Sequence, residues 1–139
     1  MVKTLDMQSI RYTNIFNKVT GISSNHCFSY NNAIIFAVPR ALVVRAIGID
    51  NKNLKKLSEI MQKKIKIVAI PNGREDIEKF VSVITHPVKF KDIEIKDDEA
   101  IINASSQSKA SLIGRRKIRL EEMENVLKQY FGIKKVMIR

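Results

Sequence analysis

The residues best suited to chemistry in this chain are cationic. Arg115, Arg116, Lys117 and Arg119 stand within one short stretch, at the expected start of a helix. A helix start carries partial positive charge and favours anions over cations. Basic side chains gathered there cost helix stability and point to an external phosphate. A second set, Lys52, Lys55 and Lys56, has the i, i+3, i+4 spacing that brings side chains onto one helix face. Arg40 and Arg45 lie upstream of it, and Lys109 precedes the first set. The chemistry open to both sets is charge-assisted contact with a polyanion. The plainer reading is a solvated basic turn and the solvated back of an amphipathic helix. Groups for catalysis do not assemble. His26 and His86 stand alone, without metal-ligand spacing such as HxxxH. No Ser-His-Asp or Cys-His arrangement, Walker loop or dinucleotide glycine fingerprint is recognisable. Cys27 sits in an apolar stretch and reads as a small core residue. The expectation is therefore no enzyme, no cofactor, no metal and no small-molecule substrate.

The composition agrees with a polyanionic partner. Among 139 residues, 25 Lys and Arg face 14 Asp and Glu, a formal net charge of +11. Such a surplus attracts phosphates and releases their counterions. Hydrophobic residues make up 45%, enough for a folded core. A single cysteine excludes an intramolecular disulfide and a multi-cysteine zinc site. No run of about 18 apolar residues predicts a transmembrane helix. The segment MVKTLDMQSIRYTN lacks the apolar block of a secretory signal. A soluble, cytoplasmic protein with no membrane partner is expected. The charge is uneven: residues 1–72 hold 11 basic and 3 acidic side chains, residues 73–139 hold 14 and 11. In the second half Asp92, Glu94, Asp97, Asp98 and Glu99 gather in one stretch, expected as a solvated hairpin. The carboxylates at 121–124 read as a solvated face.

The elements that must position these residues are written twice. With an offset of 66, Ile47-Gly48 falls on Ile113-Gly114, and Leu54, Leu57, Ile60 and Met61 fall on Leu120, Met123, Val126 and Leu127. The first helices agree at an offset of 65, and IKIVAI at 65–70 matches IKKVMI at 133–138. Each copy reads as helix, two strands, two helices, strand. In copy one the spacing predicts a helix from Leu5 to Val19, with Ile10, Ile15, Phe16 and Val19 apolar and Gly21 as its stop. Strands follow at 26–30 and 33–38, joined by an Asn31-Asn32 hairpin turn. Pro39 opens a helix to Ile47. Asp50 or Asn51 caps the next helix, whose buried face is Leu54, Leu57, Ile60 and Met61. A strand at 64–70 precedes the linker Pro71-Asn72-Gly73. Copy two predicts a helix at 74–85, strands at 88–95 and 100–104, a short helix at 107–113, a turn and a long helix over 115–131, a stop at Gly132 and a strand at 133–138.

The motifs RAIGIDNKNLKKL at 45–57 and SLIGRRKIRLEEM at 111–123 give each copy a helix–Ile-Gly-x-x-x–helix core. That core resembles the KH fold in its type II order, and two such units in tandem resemble the archaeal NusA-like transcription termination and antitermination factors. The resemblance implies an α+β fold of two tandem type II KH domains (αββααβ each), 1–72 and 73–139. It implies binding of single-stranded RNA, the nascent transcript, with RNA polymerase as a further partner. A KH GxxG loop lets the nucleic-acid backbone approach closely beside an apolar groove for about four bases. Here each copy keeps one glycine of the pair, and Asn51 and Lys117 stand where the second belongs, so the loops are degenerate. The loops the resemblance points to, with the basic residues flanking them, make the expected RNA site: Arg45, Gly48, Ile49, Asp50, Asn51, Lys52 and Lys55 in copy one, and Gly114, Arg115, Arg116, Lys117 and Arg119 in copy two. Val43, Ile47 and Ile113 are the expected groove. Copy two is expected to make the stronger loop contact, because Asp50 sets a negative charge where a phosphate would lie. The rival reading is a KH-fold protein-interaction scaffold that has largely lost RNA binding.

Overall fold

The structure is a computed structural model that describes residues 7–24 and 26–139. The chain is of mixed α+β type, with two three-stranded sheets, and divides into two compact units between Ile70 and Pro71. Among the described residues, no helix is long and apolar enough to cross a membrane.

The first unit runs α1 (Met7–Thr20), β1 (His26–Tyr30), β2 (Ala33–Val38), α2 (Val43–Ile47), α3 (Lys52–Met61) and β3 (Lys64–Ala69). The expected start of α1 at Leu5 lies outside the described residues. Its buried side chains are Tyr12 and Phe16, while Ile10 is 43% exposed. At 100° per residue, Ile10 stands about 120° round the helix from Phe16 and leaves the core stripe. Gly21 ends the helix at φ +72, its N–H donating to the Asn17 carbonyl at 2.9 Å. Asn31 and Asn32 both take positive φ, the requirement of a two-residue hairpin that follows the strand twist. β2 pairs antiparallel with β1 and parallel with β3, and all six of its residues are buried. A continuous apolar run suits a strand covered on both faces. Ile34, Phe36 and Val38 join Ile65 and Ile67 in one core with Phe16, Ala46 and Leu57. The rings of Phe16 and Phe36 stack at 4.4 Å. Cys27 packs half-buried against this core.

Two expectations for this unit change. Pro39 does not occupy a first helical position: it precedes a 3₁₀ turn at Arg40–Leu42, which leads into a short α2. On α3, Leu57 is fully buried, but Ile60 is 46% exposed. The three buried or half-buried positions Leu54, Leu57 and Met61 form a narrow stripe, and Ile60 lies at its edge.

The second unit runs α4 (Ile77–Thr85), β4 (Asp92–Lys96), β5 (Glu99–Asn103), α5 (Ser106–Ile113), α6 (Ile118–Phe131) and β6 (Lys135–Ile138), with a 3₁₀ turn at Arg74–Asp76. Its sheet repeats the first: β5 is antiparallel to β4 and parallel to β6. Ile77, Phe80, Val81 and Ile84 are buried along α4, as the spacing predicts. β4 begins at Asp92 rather than Val88. A turn holds 85–88, where the Val88 N–H donates to the Thr85 carbonyl and the Thr85 hydroxyl donates to the carbonyls of Val81 and Val88. The acidic stretch is not simply solvated. Arg74 donates to the Asp97 carbonyl at 2.7 Å, to Asp98 Oδ1 at 3.1 Å and to the Phe131 carbonyl at 3.3 Å. It thereby ties the β4–β5 turn to the end of α6. Phe131 also meets Phe80 edge-on at 5.4 Å.

Candidate nucleic-acid interface

The two helix–helix loops carry different side chains on the same backbone. Gly48 has φ 82 and ψ 165, and Gly114 has φ 75 and ψ 174. Positive φ with ψ near 180° is open essentially to glycine alone. Two left-handed residues follow in each loop: Asp50 (φ 55) and Asn51 (φ 60), then Arg116 (φ 55) and Lys117 (φ 63). The Asn51 N–H returns to the Gly48 carbonyl at 3.2 Å, and the Lys117 N–H to the Gly114 carbonyl at 3.2 Å. The position where the second glycine is replaced thus keeps a glycine-like conformation. A non-glycine residue there costs about 1–2 kcal/mol. Asn51 tolerates it best, because its short polar side chain is adapted to left-handed backbone.

The helix starts beyond both loops have no side-chain cap. Asn51 and Lys117 stand at the N-cap positions of α3 and α6, left-handed and making no capping bond. The expected cap by Asp50 or Asn51 is therefore absent. A capping side chain needs an extended backbone at that position, and the loop supplies a left-handed one. By contrast, α5 is capped in the ordinary way, with Ser105 Oγ accepting from the Ser108 N–H at 3.3 Å. The first amides, of Lys52 and Ile118, donate instead to the carbonyls of Ile49 and Arg115, so what each helix start offers an anion is its dipole.

In the first unit Ile49, Asp50, Lys52, Lys55, Lys56 and Glu59 line one open recess of about 650 Å³. The structure brings the three lysines together, with two carboxylates among them. Arg45 is exposed, and its carbonyl accepts from Asn53 Nδ2 at 3.4 Å across the loop. Ile49 is 85% exposed and Val44 82% exposed. Neither exposure follows from apolar spacing. The repeat holds the signal for Ile49, since it aligns with Arg115, a residue that must face solvent. Val43 and Ile47 are half-buried beside the loop.

In the second unit Arg115, Arg116 and Lys117 are exposed at the loop. Arg119 is different: it is only 20% exposed at the side chain and is held by Glu122 one turn on. It supports the loop more than it faces solvent. Ile113 is half-buried and Ile118 is 46% exposed beside the same loop. Among the described residues, no group of three or more His, Cys, Asp or Glu side chains could hold a metal ion.

The chain is 22% identical over 138 residues to the probable transcription termination protein NusA of Methanococcus vannielii, covering 96% of this chain and 78% of that one. Over nearly its whole length the chain is thus similar to an archaeal NusA protein. The likeness extends to three dimensions. The crystal structure of APE1850 matches with a TM-score of 0.64 and 28% identity, over 97% of this chain and all of the other. No family model matches. Both matches cover residues of both units.

Proposed function

We propose that this chain is a non-catalytic, single-stranded RNA-binding protein acting in transcription elongation, termination or antitermination, built as two type II KH domains at 1–72 and 73–139. The observation that carries the reading is the loop backbone. Both copies hold the same strained turn into an uncapped helix despite sharing only their first glycine. Strained backbone of this kind clusters at ligand sites. In the second copy Arg115, Arg116 and Lys117 surround that turn and, with the positive end of α6, supply charge for a phosphate. Ile113 and Ile118 supply the apolar side on which bases rest. In the first copy Gly48, Ile49, Asp50 and Asn51 make a weaker loop contact, because Asp50 opposes a phosphate. Arg45, Lys52 and Lys55 supply its positive charge. The likeness to a probable transcription termination protein supports the transcriptional role; the reading takes the nascent transcript as ligand, in the cytoplasm and in the neighbourhood of RNA polymerase.

An amide NMR titration with a short single-stranded oligouridylate tests this. The largest shifts are expected at 113–119, with smaller ones at 47–53. RNA that leaves both loops unmoved rejects the reading.

A further inference from the structure

We propose a second RNA contact in the C-terminal unit, away from its helix–helix loop: the recess between the last turns of α4 and residues 86–91 takes the phosphate backbone of a longer single strand. This rests on the reading of the chain as an RNA-binding protein. The recess is an open one of about 590 Å³. Lys79, Lys89, Lys91 and His86 line it, against Glu78 as its acidic side chain. Phe90 is half-buried between two exposed lysines in sequence. Cations around an aromatic ring suit a strand whose phosphates and bases are both within reach.

The recess is held open by hydrogen bonds rather than by chance side-chain placement. The His86 N–H donates to the Ser82 carbonyl at 3.1 Å, the Val88 N–H to the Thr85 carbonyl at 2.9 Å, and the Lys91 N–H to the Asn103 carbonyl at 2.7 Å. The Thr85 hydroxyl donates to the Val81 carbonyl at 2.9 Å. The carbonyls of Val81, Ser82 and Thr85 are thus engaged within the chain, and the lysines outweigh the negative end of α4. The lysines are also not demanded by the fold. At the offset of 65 that aligns the first helices Lys79 falls on Asn14, and at the offset of 66 that aligns β1 with β4 Lys89 and Lys91 fall on Ser23 and Asn25. The copy that shares the architecture does without the charge. The recess therefore carries a cationic set that packing does not explain, and charge complementarity selects a polyanion.

The test compares two RNA lengths on the full chain. An oligouridylate of about four nucleotides fills one KH groove, and one of about 16 nucleotides reaches further. The variant Lys79→Glu/Lys89→Glu/Lys91→Glu should leave the short oligomer within about twofold and weaken the long one at least about tenfold, with its log–log salt slope smaller by about 2. The milder Lys→Gln triple should show the same pattern to a lesser degree. Unchanged affinity and slope for the long oligomer would overturn the proposal. So would polyglutamate competing as well as RNA of equal charge, which would make the recess a docking site for acidic protein. If the short oligomer is indifferent to Arg115→Ala/Arg116→Ala/Lys117→Ala while the long one responds to the lysines, the loop assignment fails and the recess stands.

Discussion

A Cβ placed on Gly114 would stand 2.6 Å from Cγ of Arg119 and 3.0 Å from its backbone nitrogen. A Cβ at 2.6 Å from a nonbonded carbon forces a shift, and φ +75 is itself unfavourable for a side chain, so the turn into α6 depends on a glycine at this point. Gly48 repeats the relationship more loosely, with Asn53 atoms at 3.1 Å. Gly114→Ala should destabilise the protein by about 3 kcal/mol and Gly48→Ala by about 2 kcal/mol, from positive-φ strain plus the clash. Denaturant unfolding checks both values. Equal stability of either variant and the parent would contradict the loop geometry.

The fourth loop position should respond in the opposite sense. Lys117→Gly relieves left-handed strain of about 1–2 kcal/mol and costs about 0.5–1 kcal/mol of chain entropy. Net stabilisation by about 0.5–1 kcal/mol is expected, with RNA binding weaker by a few-fold for the missing charge. A variant that is more stable and binds RNA equally well would remove Lys117 from the site.

Arg119 and Arg115 should separate stability from binding. Arg119 is paired with Glu122 on its own helix, so Arg119→Ala should cost about 0.5–1 kcal/mol of stability and little RNA affinity. Arg115→Ala should do the reverse. A double-mutant cycle with Glu122→Gln locates the first effect, and an RNA titration the second.

Arg74 reaches three acceptors on the β4–β5 turn and the end of α6. Arg74→Ala should cost about 1–2 kcal/mol, and Arg74→Lys should recover little of it. A lysine ammonium lacks the planar fork that serves separate acceptors at once. Full rescue by lysine would show that charge alone holds the turn.

Burial, and then the neighbouring Lys64, hold the Lys66 ammonium below its ordinary value of 10.5. A base depressed in the folded state disfavours folding while charged. Stability should therefore rise as pH climbs through the folded pKa and level off above the unfolded one. Lys66→Met should flatten that rise in thermal unfolding followed between neutral and strongly alkaline pH. Lys64→Gln should move the Lys66 titration upward, read by NMR.

Much of this architecture is legible in the amino-acid sequence alone. The repeat sets Gly48 over Gly114 and Ile49 over Arg115, and the Asn at position 51 signals left-handed backbone. The other left-handed residue of each loop is hidden, since Asp50 and Arg116 are chemically unlike and neither type demands that conformation. Arg74 is hidden for another reason: its Phe131 acceptor is 57 positions away, beyond the reach of periodicity. The start of β4 is illegible because V-K-F-K alternates as a strand would, while the Thr85 hydroxyl and the Val88 N–H turn the chain before the ladder begins. Arg119 reads as one more cation in a basic cluster until Glu122 is seen to hold it.

The central claim is that the loop at 114–117 neutralises RNA phosphates. The most direct measurement is the salt dependence of single-stranded RNA binding by the parent and by Arg115→Ala/Arg116→Ala/Lys117→Ala. The account predicts weaker binding and a log–log slope smaller by about 2 in the variant, at roughly 0.7 for each phosphate no longer neutralised. A slope unchanged by the removal of all three charges would contradict it.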